Sequence, residues 1–135
     1  MELVILQKVA ERHNIPVEYM PLIGANALCI ELGIDDYSIA INIRHKGTTA
    51  EEKTNLAHEL GHCATSSFYN TRTPILTRGK CERRANEWAI KKLVPRNKLR
   101  KAIKEGVTES WQLADYFDVE ERLIILALEY YNKAC

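Results

Sequence analysis

Asn55-Leu56-Ala57-His58-Glu59-Leu60-Gly61-His62 carries an H-E-x-x-H spacing near the middle of a 135-residue chain. On a helix, residues four apart lie one turn above each other, so His58 and His62 aim two imidazoles at one point. Glu59, about 100° round the helix from His58, is better placed to hold a water at that point than to ligate there. Two nitrogen ligands with a carboxylate beside them make the geometry that metal-assisted hydrolysis needs. The bland alternative is a buried amphipathic helix whose histidines face core or solvent.

The flanks favour a helix. Thr48 with Glu51, and Thr49 with Glu52, are overlapping capping boxes that start one near residue 50. Leu56, Leu60 and Cys63 then form an apolar stripe, with Ala57 and Ala64 nearby. Gly61 costs about 1 kcal/mol relative to alanine in mid-helix, and its benefit is room for another backbone or side chain to come close. A catalytic site of this kind wants a third protein ligand. Lys80 to Pro95 reads as a second long helix, on which Glu82 and Asn86 line up with the apolar contact of Ala85, Ala89 and Leu93. A carboxylate on a core-facing stripe needs a partner; a metal is one candidate, and Arg83 or Arg84 at the helix start is the other.

Upstream, Leu3, Val4, Leu6, Val9 and Ala10 recur at helical spacing over residues 2–13, and Asn14-Ile15-Pro16 breaks the pattern. His13, at the end of that helix, reads as a surface residue. Val17 to Met20 is a weak strand signal. Ala27 to Leu32 and Tyr37 to Ile43 are stronger ones, joined by a link of hairpin length, Gly33-Ile34-Asp35-Asp36. Tyr37, Ile39, Ile41 and Ile43 fall on one face, so the second strand reads as half-exposed. At a sheet edge beside the metal it would offer its backbone to an extended peptide.

Thr65 to Pro74 reads as a polar loop over the site, in which Tyr69 or a nearby arginine is a candidate oxyanion donor, with a packed loop tyrosine as the alternative. Pro95 to Glu105 is a short basic helix stopped at Gly106. Thr108 can cap the next segment, Asp118 with Glu121 can open the last helix, and Leu123, Ile124, Leu126, Ala127 and Tyr130 supply its inward face. The final two helices resemble a helix-turn-helix. Glu120 and Glu121 would meet phosphate at its reading end, so a structural bundle is the preferred reading.

The length fits one domain, 1–135, in three parts: 1–47 (helix and small sheet), 48–95 (metal-site helices) and 96–135 (C-terminal helices). With 19 basic and 18 acidic residues, a net +1, nucleic acid or anionic membrane is not expected as the main partner. Glu2 stands where a signal peptide would carry basic residues, which points to the cytoplasm. Cys29, Cys63, Cys81 and Cys135 form no C-x-x-C pair and read as reduced, mostly buried thiols. Cys63 and Cys81 each neighbour a better ligand candidate, so they turn away if that neighbour points in.

His58-Glu59-Leu60-Gly61-His62, then Glu82-x-x-Ala85-Asn86-x-x-Ala89, then Leu93-Val94-Pro95, resembles the ImmA/IrrE family of zinc metallopeptidase-like proteins within the gluzincin class. The likeness continues through Glu105-Gly106, Leu113 to Val119 and Leu123; Trp88 and Val94 stand where Phe and Met are commoner. The resemblance implies an α+β fold: an N-terminal helix, a small antiparallel or mixed sheet of about three strands, the HExxH helix, the ExxAN helix and a C-terminal bundle of short helices. It implies His58, His62 and Glu82 as ligands of Zn2+, Glu59 as general base and Asn86 as the residue that orients a ligating side chain. It further implies cleavage of a regulatory protein, such as a helix-turn-helix repressor from a phage, another mobile element or a stress locus. The alternative is a zinc-stabilised module that binds and sequesters a repressor or antitoxin without cutting it.

Overall fold

The computed structural model describes residues 1–43, 47–69 and 72–133. Helix α1 (Leu3–Arg12) leads into strands β1 (Val17–Met20), β2 (Ala27–Gly33) and β3 (Asp36–Asn42). Five helices follow: α2 (Thr49–Thr65), α3 (Ile75–Leu93), α4 (Arg96–Lys104), α5 (Ser110–Phe117) and α6 (Glu121–Lys133). The architecture is α+β with a small mixed sheet, as the resemblance implies. Among the described residues no helix is long and apolar enough to cross a membrane.

The strand order is β1-β3-β2. β1 runs parallel to β3, with Val17 opposite Ile39, and β2 runs antiparallel to it, with Cys29 also opposite Ile39. Tyr37–Ile43 therefore supplies the central strand, not an edge. The weakly signalled β1 takes the side of β3 that the sequence reading left free. Ile39 and Ile41 are buried as expected, but so is Ala40 on the other face, so β3 is not a plain half-exposed strand. The edge beside the helices belongs to β2, whose outer backbone pairs with no strand among the described residues.

Helix boundaries show how local hydrogen bonds select between competing signals. Thr48 takes the N-cap of α2, its Oγ1 accepting from the Glu51 amide at 3.2 Å. α3 starts at Ile75, directly after Pro74 and five residues earlier than the apolar stripe suggests. Glu109, not Thr108, caps α5, because Glu109 and Gln112 reciprocate as a capping box. Asp118 closes α5 in the left-handed region (φ 52°) instead of opening α6. The readings that fell on Arg44-His45-Lys46, on Asn70 and Thr71 and on Cys135 lie outside the described residues.

One apolar cluster joins Leu6 and Ala10 of α1, Ile39 and Ile41 of β3, Leu56 and Leu60 of α2, Leu93 of α3, and Leu123 and Ile124 of α6. Polar ties hold α2 in place from both sides. Tyr19 of β1 donates to Glu52 at 2.8 Å and accepts from Gln7 of α1 at 3.0 Å. Opposite, the Glu120 amide donates to Thr54 Oγ1 at 3.1 Å, and Arg122 donates to Asn55 at 3.1 Å. The start of α6 is thus docked on α2, one turn before the histidines.

Candidate metal centre

Helices α2 and α3 run antiparallel and touch at Gly61. A methyl group there would sit 2.5 Å from the Ala85 carbonyl oxygen and 2.9 Å from its Cα, closer than atoms pack. The bare glycine lets the two backbones meet, which is the room the sequence reading assigned it. From this contact His58 and His62 project from α2, and Glu82 and Asn86 from α3.

The side chains converge. His58 Nε2 lies 2.8 Å from Glu82 Oε2, His62 Nε2 lies 3.2 Å from Glu82 Oε1, and the two Nε2 atoms are 3.1 Å apart. Second partners orient both rings. His58 Nδ1 is 2.8 Å from Asn86 Oδ1, and His62 Nδ1 is 2.6 Å from the Ser67 carbonyl oxygen. Both partners are acceptors, so each Nδ1 carries the proton and each Nε2 turns a lone pair inward. Two nitrogen lone pairs and a carboxylate facing one another need a positive charge between them. That donor set fits a divalent metal ion: His58, His62 and Glu82 offer one atom each, all within 4.8 Å of one another.

Burial and neighbouring charge suit the same use. Burial holds the His58 imidazole below its usual pKa against the pull of Glu82, which favours the neutral, ligating form. Burial, reinforced by Glu82, raises the Glu59 carboxyl to about 7, opposed by a hydrogen bond from the Cys29 backbone. Tyr69 donates to Glu82 Oε1 at 2.7 Å, and this bond, with burial, raises its pKa. Phe68 lies 6.3 Å from the His62 ring and stacks on Tyr37 at 5.0 Å. A cavity of about 240 Å³ opens over the cluster, lined by Leu28 and Cys29 of β2, Glu59, Phe68 and Tyr69.

The family model of the IrrE N-terminal-like domain, Peptidase_M78, matches residues 10–129. The chain belongs to that family. The match takes in every residue of the cluster and both helices that carry it. No curated protein and no solved structure matches the chain.

Of the residues singled out in the sequence of this IrrE-like domain, the fold gathers His58, Glu59, His62, Glu82, Asn86 and Tyr69 at one place. Glu82 meets the histidines and Tyr69, not Arg83 or Arg84. Cys63 and Cys81 are buried outside the cluster, and the Cys81 thiol faces the Phe68 carbonyl at 3.6 Å. His13 is exposed at the end of α1. The partner of His62 escaped sequence reasoning because it is a backbone carbonyl, which no side chain announces. It reaches the ring because Ser66 turns left-handed (φ 51°) after α2 and folds Ser67 back.

Proposed function

We propose that the protein is a cytoplasmic zinc-dependent endopeptidase that cuts a regulatory protein, such as a helix-turn-helix repressor of a mobile element or stress locus. The convergence of two inward Nε2 lone pairs and one carboxylate, with a second carboxylate beside them, carries the reading. His58, His62 and Glu82 would hold the ion, which when bound supplies Lewis acidity to a water and to the scissile carbonyl. Glu59 takes the proton of the attacking water and returns it to the leaving amine. Burial raises its proton affinity, and that suits a group which must both accept and return a proton near neutrality. The Tyr69 hydroxyl, already at the cluster, donates to the oxyanion as the tetrahedral centre forms. The free edge of β2, which carries Leu28 and Cys29 along the cavity, pairs with the extended substrate chain. The nature of the substrate rests on family resemblance.

The test is to load the protein with Zn2+ and incubate it with the protein encoded beside its gene. Cleavage by the wild type, with full zinc content and no cleavage in Glu59→Gln, is the expected result. Stable complex formation without fragments would instead favour a sequestering module.

A further inference from the structure

Two thiols meet beside the metal cluster and take no part in it. Cys29 stands on β2 opposite Ile39, whose amide donates to the Pro16 carbonyl on the far side of β3 at 2.8 Å. In an antiparallel pair whose amides are not shared, both residues turn them away from each other. The Cys29 N–H therefore leaves the sheet at the free edge, where the Glu59 carboxylate accepts it. The Cys29 thiol shares a hydrogen bond with the thiol of Cys63. Glu59 and Cys63 lie four residues apart, one turn of α2, so the main chain and the side chain of Cys29 grip successive turns of the helix that carries the histidines. Cys63 is buried, whereas Cys29 is half-buried in the wall of the cavity over the cluster. Both are free thiols, and Cys81 faces the Phe68 carbonyl instead.

We infer that Cys29 and Cys63 are a modification site, oxidised by a peroxide to a disulfide that latches β2 onto α2 and shuts the metal centre down. The sulfur of Cys29, at the cavity wall, attacks one peroxide oxygen; the O–O bond breaks, and the departing hydroxide leaves as water with the thiol proton. Cys63 then attacks the resulting sulfenic sulfur. The S–S bond forms, the S–O bond breaks, and a second water leaves, so two thiols are oxidised as one peroxide is reduced. An outer thiol beside a resolving one is the arrangement of a redox sensor, and in a reducing compartment such a bond is transient. Burial and the shared hydrogen bond raise the Cys29 thiol above its ordinary pKa, so the pair answers sustained oxidant and not a brief pulse. The bond draws Cys29 closer to α2. It fixes the Cys29 amide on Glu59, which then cannot turn to a water, and pins the strand edge that would receive a chain. The loss of activity rests on the peptidase reading above; the disulfide does not.

The test is prolonged treatment of zinc-loaded protein with excess hydrogen peroxide, followed by digestion and mass mapping. A peptide joining Cys29 to Cys63 is expected, with a melting temperature raised by several degrees because the cross-link restricts the unfolded chain, and dithiothreitol should reverse both. Cys63→Ser, close in size to the native residue, should give neither the cross-link nor the rise, and should leave a sulfenic acid at Cys29 that dimedone traps. Cleavage by the oxidised wild type is expected to fall by about 100-fold, the lower end of what a general base contributes, and to return on reduction. No cross-link after sustained oxidation, or one that joins Cys29 or Cys63 to Cys81 or Cys135, overturns the pair and leaves the metal-site reading standing. A mapped cross-link between Cys29 and Cys63 with undiminished cleavage overturns the latch. Reduced protein that binds zinc and cuts nothing counts against the peptidase reading and overturns the shut-down with it, while mapping still decides the disulfide.

Discussion

At Gly61 a single hydrogen atom decides how close α3 comes to α2. Alanine there would improve helix propensity by about 1 kcal/mol, but its methyl would meet backbone, which cannot rotate away. Overpacking of this kind costs about 1–3 kcal/mol or more, so the steric term wins. Gly61→Ala is expected to lose net stability in urea unfolding and to bind zinc more weakly, since the displaced helix carries Glu82. A variant as stable as the wild type would show that the contact relaxes freely. Glu59 makes a prediction in pH. Its folded pKa, about 7, stands above the ordinary 4.5, so the fold prefers the protonated form. In metal-free protein its contribution to stability is present at low pH and is lost as pH rises through about 7. Glu59→Gln should therefore be more stable than wild type at pH 8, with the difference vanishing below about pH 4, where the carboxyl is protonated in both folded and unfolded chains. A difference independent of pH would contradict the burial that raises this carboxyl. Gly61 and Glu59 could both be picked out from the sequence, Gly61 because glycine is costly in mid-helix and Glu59 because it stands inside the H-E-x-x-H spacing. Ser67 could not, because its contribution is a main-chain oxygen.

Among the elements, α2 is held by what it touches more than by its own propensity. Its Lys53 is 3 % exposed, and its ammonium donates to the Phe117 carbonyl at 3.0 Å with Asp118 at 3.8 Å. This cation sits at the C-terminus of α5, where the last carbonyls lack helical partners and the helix end is negative. Burial lowers its pKa and Asp118 partly restores it. Lys53→Met is expected to cost about 1.5–3 kcal/mol, the usual worth of a hydrogen bond to a charged group, less whatever the apolar side chain recovers by burial. Chemical denaturation measures it, and an unchanged midpoint would mean that the ion is no better than a hydrophobe there. Helix periodicity marked α1, α2 and α3 in the sequence, because their buried stripes are long. It misjudged the cap of α5 and the role of Asp118, because several residues there can cap and packing chooses among them.

For the whole molecule, the metal cluster joins two helices whose ligands lie about twenty residues apart in the chain. A metal bound only by the folded state stabilises it by about 2.7 kcal/mol at one hundred times its Kd. Zn2+ is therefore expected to raise the melting temperature by several degrees, and a chelator to reverse the gain. His58→Ala and Glu82→Ala should show no such rise. An equal rise in Glu82→Ala would remove Glu82 from the ligand set. Sheet order belongs to this scale too. The strand whose edge position the sequence left open is the centre because β1 pairs with it in parallel, and β2 faces the cavity.

The sequence by itself determined the elements, their buried stripes and the candidate donors, since helix spacing and capping are local and His58, Glu59 and His62 share one helix. The tertiary structure alone decided that Glu82 faces those rings instead of an arginine. It also decided which strand is the free edge, which carbonyl holds His62, and that the Cys29 thiol meets that of Cys63. These depend on how closely helices and strands approach one another across the chain, and such distances are set by packing of the whole core, not by any stretch of residues.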